Sequence, residues 1–381
     1  MTLIRSSIAW HVYSLTHSAF HLGMIGLVQF VPALLLTLVG GVVADTYDRK
    51  RVINLAQLVT LSAGALLWVA TGRGDVSVQT LYVTVFCISC ALAFETPARM
   101  ALLPSLIPRE IFPRAVTLSS TNQALAFATG PALGGLVIAA AGVRAAYAAY
   151  VVLLALAFIS MFMLRAGERG SGPRRGISLS AIAEGLAFVW SKPVVLGCMT
   201  LDMFAVIFGG ASALLPIFAN DILGVGARGY GLLTSSLEIG ALAMSLMLIL
   251  RKPVRRAGRV LLLTVAVFGL TTVVFGLSRS FPLSVAAYML AGMADQVSVV
   301  MRSTAIQLST PDELRGRVSA VSMVFIGASN QLGAVESGLV ASFTSATFAV
   351  VSGGLGCLLV VAWVAWRLPA LRRYEVEPAL A

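Results

Sequence analysis

Gly41-Val42-Val43-Ala44-Asp45-Thr46-Tyr47-Asp48-Arg49-Lys50-Arg51 is a charged island at the junction of two long apolar runs, residues 20–44 and 52–71. Each run approaches or exceeds the roughly 20 apolar residues that an α-helix needs to cross a bilayer. The stretch therefore reads as a tight polar turn between two membrane helices. The same alternation continues along the chain. Further spans are expected near 78–98, 117–140, 145–164, 193–219, 229–250, 259–278, 281–301, 317–342 and 345–366. Composition agrees: 58% of the 381 residues are hydrophobic and 11% charged, against about 25% charged in a soluble domain. A mean hydropathy of +0.92 excludes disordered, fibrous and disulfide-scaffold classes. The expected fold class is an all-α polytopic membrane protein.

The net charge of +11 bears on orientation rather than on nucleic acid. Basic clusters lie between apolar runs, and none carries the interleaved aromatics of a single-strand binder, so no nucleic-acid partner is expected. With the amino terminus inside, 45–51, 99–116, 165–192, 251–258, 302–316 and the tail become cytoplasmic. Of the 27 Lys and Arg, only Arg73, Arg144, Arg228 and Arg279 then fall in outer loops. Cationic loops resist translocation, so both termini are expected in the cytoplasm. Cys87, Cys90, Cys198 and Cys357 all lie in apolar runs and read as small buried hydrophobes. Three scattered histidines make no metal site. No phosphate-cradling loop is visible, so no nucleotide cofactor is expected. Without a nucleophile–base pair, an enzyme is not expected either.

The polar stretch 165–192 divides the chain into halves 1–164 and 193–367, with a tail at 368–381. The halves repeat. A shift of 205 residues lays Gly26-Leu27 on Gly231-Leu232 and Lys50-Arg51 on Arg255-Arg256. A shift of 203 lays Arg99 on Arg302, Pro108 on Pro311, Glu110 on Glu313, Arg114 on Arg317, and Gly135-Leu136-Val137 on Gly338-Leu339-Val340. Six spans repeated in parallel suit a transporter whose halves rock about a central site. By the same offset the first span would begin ahead of Met1. What remains of it is too short to cross a bilayer. An incomplete first helix, completed by an in-frame upstream extension, is the expectation.

The opening island can now be placed. Gly41, Asp45, Arg49, Lys50 and Arg51 resemble the G-x-x-x-D-x-x-x-R-K/R signature of the major facilitator superfamily. Asp48 stands where that family usually has Gly. An Asp at a cytoplasmic helix end, with cations one turn on, can make charged contacts in only one state of a gate. Gly130-Pro131-Ala132-Leu133-Gly134-Gly135 resembles the G-P-x-x-G-G motif of antiporter members, with Ala126 where the family has a further Gly. Gly130 and Gly134 sit one turn apart and permit close helix approach, and Pro131 can bend the helix. Leu214-Leu215-Pro216 and the run from Pro311 to Arg317 look like the branch of enterobactin exporters and drug-efflux permeases. The resemblance covers nearly the whole chain. It implies a major facilitator fold in a bacterial cytoplasmic membrane, acting as a monomer. It also implies export of a hydrophobic or amphipathic small molecule, drug-like or siderophore, by proton antiport. A metabolite uniporter or importer, or a transport-dead scaffold or sensor, remain the alternatives.

Ionisable groups at membrane depth are costly, so each invites a function. Glu95, Asp202, Glu238, Asp295 and Glu336 fall in spans four, seven, eight, ten and eleven. Spans three, six, nine and twelve carry none in their interiors, and in the resembled fold every third helix is peripheral. A carboxylate in low-dielectric surroundings can exchange a proton near neutral pH. Asp202 is the first choice for proton coupling, then Glu238, with Asp295 placed nearer the cytoplasm. Glu95 is expected to pair with Arg99, one turn on. His11, Gln29, Asn122, Gln123, Asn330 and Gln331 are the polar groups expected to line a cavity, helix-to-helix bonding being the alternative. His17 and His21 are expected at the outer interface.

Overall fold

A computed structural model of the protein describes residues 1–108, 111–164, 179–250 and 254–375, and every regular element among them is helical. Helix α1 is Thr2–Thr16, closed by His17 in the left-handed region. Its 15 residues span about 22 Å, against roughly 30 Å of hydrocarbon. α2 (Ala19–Thr46), α3 (Arg49–Arg73) and α4 (Val78–Leu106) each pass the length and hydropathy needed to cross a membrane. Between α2 and α3, Asp48 caps α3 by accepting the Arg51 N–H at 2.8 Å. Helix N-termini favour such a side chain, and this accounts for Asp48 where the resembled signature has Gly. α5 (Phe112–Met163) has 52 residues and breaks at Gly142, where φ is 81° and ψ 172°. Only glycine takes that backbone without strain. The two spans expected at 117–140 and 145–164 are its two arms.

The 14 residues from Arg165 to Ser178 lie outside the described residues, and with them half of the expected linker. The other half is helix α6 (Leu179–Ser191), where sequence suggested only a polar connection. Val189 explains it: the side chain is buried in a cluster with Val195, Cys198 and Val321. α7 (Pro193–Phe208) ends at Gly209. A 3-10 turn, the short α8 (Leu215–Ile217) and a π turn through Ile222 complete the seventh crossing. Pro216, lacking an N–H, accounts for part of that irregularity.

α9 (Gly226–Ile249), α10 (Ala257–Leu277), α11 (Phe281–Leu308), α12 (Asp312–Phe343) and α13 (Ala346–Arg367) follow. α4 and α11 correct two expected boundaries, since residues 99–106 and 302–308 continue their helices instead of starting loops. A last turn, α14 (Pro369–Arg372), fixes the tail: Leu371 is fully buried and the Gly258 N–H donates to the Tyr374 carbonyl at 3.1 Å.

Two compact units result. One comprises Met1–His17 and Leu27–Ser178, the other Ser18–Gly26 and Leu179–Ala381. In the first, Ala44, Ile53, Ala98 and Leu102 form a small core behind the α2–α3 turn. In the second, Leu201, Val265, Met301 and Cys357 anchor a larger one, and Phe218 and Phe275 pack at 4.7 Å between ring centroids. All four cysteines are free.

Candidate functional site

In the first unit the glycine motif of α5 seats α1. A Cβ on Gly130 would fall 1.9 Å from Thr2 Oγ1, and one on Gly134 would fall 3.1 Å from Ser6 Oγ. Thr2 Oγ1 donates to the Ala126 carbonyl at 2.8 Å. Higher on the same pair, His11 Nδ1 lies 3.0 Å from the Tyr147 hydroxyl, both groups being buried. His11 therefore ties α1 to the second arm of α5 instead of facing open space. Gln29 of α2 is half-buried, while Asn122 and Gln123 of α5 are exposed.

At the α2–α3 turn the cations hold carbonyls at helix ends. Arg49 donates to the Ala101 carbonyl of α4 at 3.0 Å. Lys50 Nζ donates to the Phe162 and Leu164 carbonyls at 2.8 and 2.6 Å and stands over the Phe162 ring. The last carbonyls of a helix lack intrahelical partners and carry its negative end, so Lys50 is suited to cap α5. Arg51 is exposed and Gly41 half-buried. The Asp45 side chain lies outside the described residues. In α4, Glu95 is buried and pairs with Arg99, and its Oε1 also accepts from Gln57 Nε2 at 3.4 Å.

The second unit holds the deeper acids. Asp202 sits nine residues into α7, about 14 Å along it, and forms an ion pair with Arg302 of α11. Side-chain exposures of 12% and 7% put that pair in the interior. Arg302 is the member of this pair that the sequence did not single out, because it fell in an expected loop. The repeat carried a signal, because it lays Arg302 on Arg99, an arginine expected to pair with an acid one turn back. Where Arg99 has Glu95 four residues back, Arg302 has Ser298, and the cation reaches across to Asp202.

Glu238 and Asp295 have a different setting. Glu238 lies at the middle of α9, and the full length of α11 puts Asp295 at its middle too. The two helices touch backbone to backbone nearby: a Cβ on Gly292 would fall 1.9 Å from the Leu237 carbonyl oxygen, and one on Gly240 2.1 Å from that of Met289. Gln296 Nε2 donates to Ser245 Oγ at 2.9 Å across the same pair. Both carboxylates are half-buried, one on each of these two packed helices. Among the described residues neither has a hydrogen-bond or ion-pair partner. Glu336 of α12 accepts from Ser337 Oγ at 3.3 Å. Asn330 is exposed and bonds its own helix at Ile326, and Gln331 is half-buried.

Ten helices among the described residues are long and apolar enough to cross a membrane, and several carry charged side chains in their interiors, which defines a multi-pass membrane protein of the transporter class. Solved structures agree on the fold. An inward-facing bacterial homologue of the human lysosomal transporter Spinster aligns with a TM-score of 0.74 at 13% identity, covering 99% of this chain and 96% of that one. The nucleoside transporter NupG aligns with a TM-score of 0.66 at 13% identity, covering 98% of each chain. A family model described as transmembrane secretion effector matches residues 2–380, and the chain belongs to that major facilitator family. Among its relatives, the multidrug efflux pump Tap of Mycobacterium tuberculosis is 29% identical over 97% of this chain and 90% of that protein. The enterobactin exporter EntS of Escherichia coli is 24% identical over 99% and 90%.

Proposed function

We propose that the chain exports a hydrophobic or amphipathic small molecule, drug-like or siderophore, across a bacterial cytoplasmic membrane in exchange for protons. It does so as a monomer, with both termini in the cytoplasm. That Tap is a multidrug efflux pump and EntS an enterobactin exporter supports the direction and the cargo class. The observation that carries the coupling is the Glu238–Asp295 pair. Two carboxylates on packed helices, with no hydrogen-bond or ion-pair partner among the described residues, are groups to which protons can add and from which they can leave. A proton taken from outside and released inside would remove and restore a charge there once per cycle. Asp202 enters differently: its charge is met by Arg302, so the coupling is assigned to the other two acids.

The test is efflux of a substrate panel from cells expressing the protein, with and without a proton uncoupler. Uncoupler should abolish efflux, and Glu238→Gln with Asp295→Asn should abolish it without uncoupler. Efflux that survives both treatments would sink proton antiport.

A further inference from the structure

One intramembrane cation has no role so far. Arg5 lies 11 residues before the end of α1 at Thr16, about 16 Å below it, which is half of a roughly 30 Å hydrocarbon core. Its immediate neighbours Ile4 and Ser6 are buried, at 0% and 5% exposure, whereas Arg5 is exposed. Two fixed contacts bracket it, Thr2 against Gly130 and Ser6 against Gly134. The glycine motif of α5 thus sets both the height and the direction of this side chain.

Among the described residues Arg5 has no ion-pair or side-chain hydrogen-bond partner. The other acids described in the first unit are committed or remote: Glu95 to Arg99 and Gln57, Asp48 to the start of α3, Asp75 to the loop after α3. A bare guanidinium at this depth is too costly to face lipid, so it faces water-filled space. A polar stretch of α5 lies close by on the same unit. Ser119, Ser120, Thr121, Asn122 and Gln123 of α5 are all exposed, and they end one turn before the Ala126 carbonyl that holds Thr2.

We propose that Arg5 is a substrate-binding residue that takes an anionic group, a carboxylate or acidic phenol, of an otherwise apolar cargo. The planar fork of Arg matches such oxygens bidentately. Asn122 and Gln123 lie on the path by which that group reaches it from the cytoplasm. This assignment rests on the export reading and narrows its cargo to acidic amphiphiles.

The full chain in nanodiscs, with empty nanodiscs as background, is titrated with pyrene-1-butyrate and with its neutral counterpart pyrene-1-butanol, following energy transfer from tryptophan. Wild-type protein should bind the acid about tenfold tighter than the alcohol, as one charge-assisted contact predicts. Arg5→Gln should lose that preference while still binding the alcohol, which also reports an intact fold. Arg5→Lys should keep part of it. The proposal is overturned if wild-type protein binds the two compounds alike or binds neither, or if Arg5→Gln keeps the preference. Efflux by the same proteins in cells separates the two levels. Acid preference without efflux upholds the site and sinks export; efflux without acid preference does the reverse.

Discussion

Separating Asp202 from Arg302 tests the interior of the second unit most directly. The pair joins α7 to α11 with side-chain exposures of only 12% and 7%. Around it Leu201, Met301, Ala305 and Ile306 are buried apolar side chains, and among the described residues neither charge has a second ion-pair partner. Removing one member of such a pair strands the other, at about 3–5 kcal/mol, whereas replacing both by apolar groups is close to neutral. The expectation is therefore non-additive. Asp202→Leu and Arg302→Met should each lower stability by about 3–5 kcal/mol, and the double variant should return to within about 1 kcal/mol of wild type. Heating a membrane protein is seldom reversible. The assay is therefore unfolding of the purified chain in mixed micelles titrated with a denaturing detergent, run as a four-protein cycle. If the double variant falls as far as the two single losses together, the residues act independently and the buried pair is refuted.

Three further outcomes follow from the same geometry. Glu238→Gln alone should leave expression unchanged, because a half-buried acid without partners is replaced by a group of equal size, and should slow uncoupler-sensitive efflux at least about tenfold; unchanged efflux would remove it from coupling. Gly292→Ala sets a Cβ 1.9 Å from the Leu237 carbonyl oxygen and should cost about 1–3 kcal/mol by forcing α9 and α11 apart. Gly316→Ala on α12, with nothing within 4 Å, should raise stability by about 0.5–1 kcal/mol, and equal effects at both sites would refute the close approach. Lys50→Gln removes the two carbonyl contacts at the end of α5, so amide exchange over residues 158–164 should rise about fivefold, for roughly 1 kcal/mol lost.

Most of the fold was legible because hydrophobic length is a one-dimensional signal. The runs at 52–71, 78–98 and 259–278 needed no partner to be recognised, and each is a helix. What sequence could not supply is a boundary that depends on a partner. Hydropathy cut the tenth span before Arg302 because an arginine costs more than its neighbours return. The helix continues because Asp202, a hundred residues away, neutralises it. α6 was hidden for a related reason, since Val189 marks a helix only once the cluster it enters exists. At the site, the glycines of α5 were legible as a place of close approach, but not as the seat of α1. His11 illustrates the limit: its position in an apolar helix suggested a cavity, and Tyr147 turned it into a buried tie.

The intramembrane charges sort into two kinds, and the sorting bears on function. Glu95 with Arg99, and Asp202 with Arg302, are neutralised within the protein. Arg5, Glu238 and Asp295 are not, among the described residues, and Glu336 has only the Ser337 hydroxyl. Each uncompensated charge at this depth is unfavourable by about 2.5–3.5 kcal/mol on insertion scales. A scaffold or sensor that had lost transport would gain stability by replacing all three with apolar residues, and nothing in its packing would resist, since none of the three has a hydrogen-bond or ion-pair partner to lose. A transporter has a reason to keep them. A cation whose counter-charge arrives only with cargo, and acids whose charge is relieved only by protons, are neutral at particular steps of a cycle and costly at the others. That alternation makes release of one ligand favour capture of the other, which is what exchange requires.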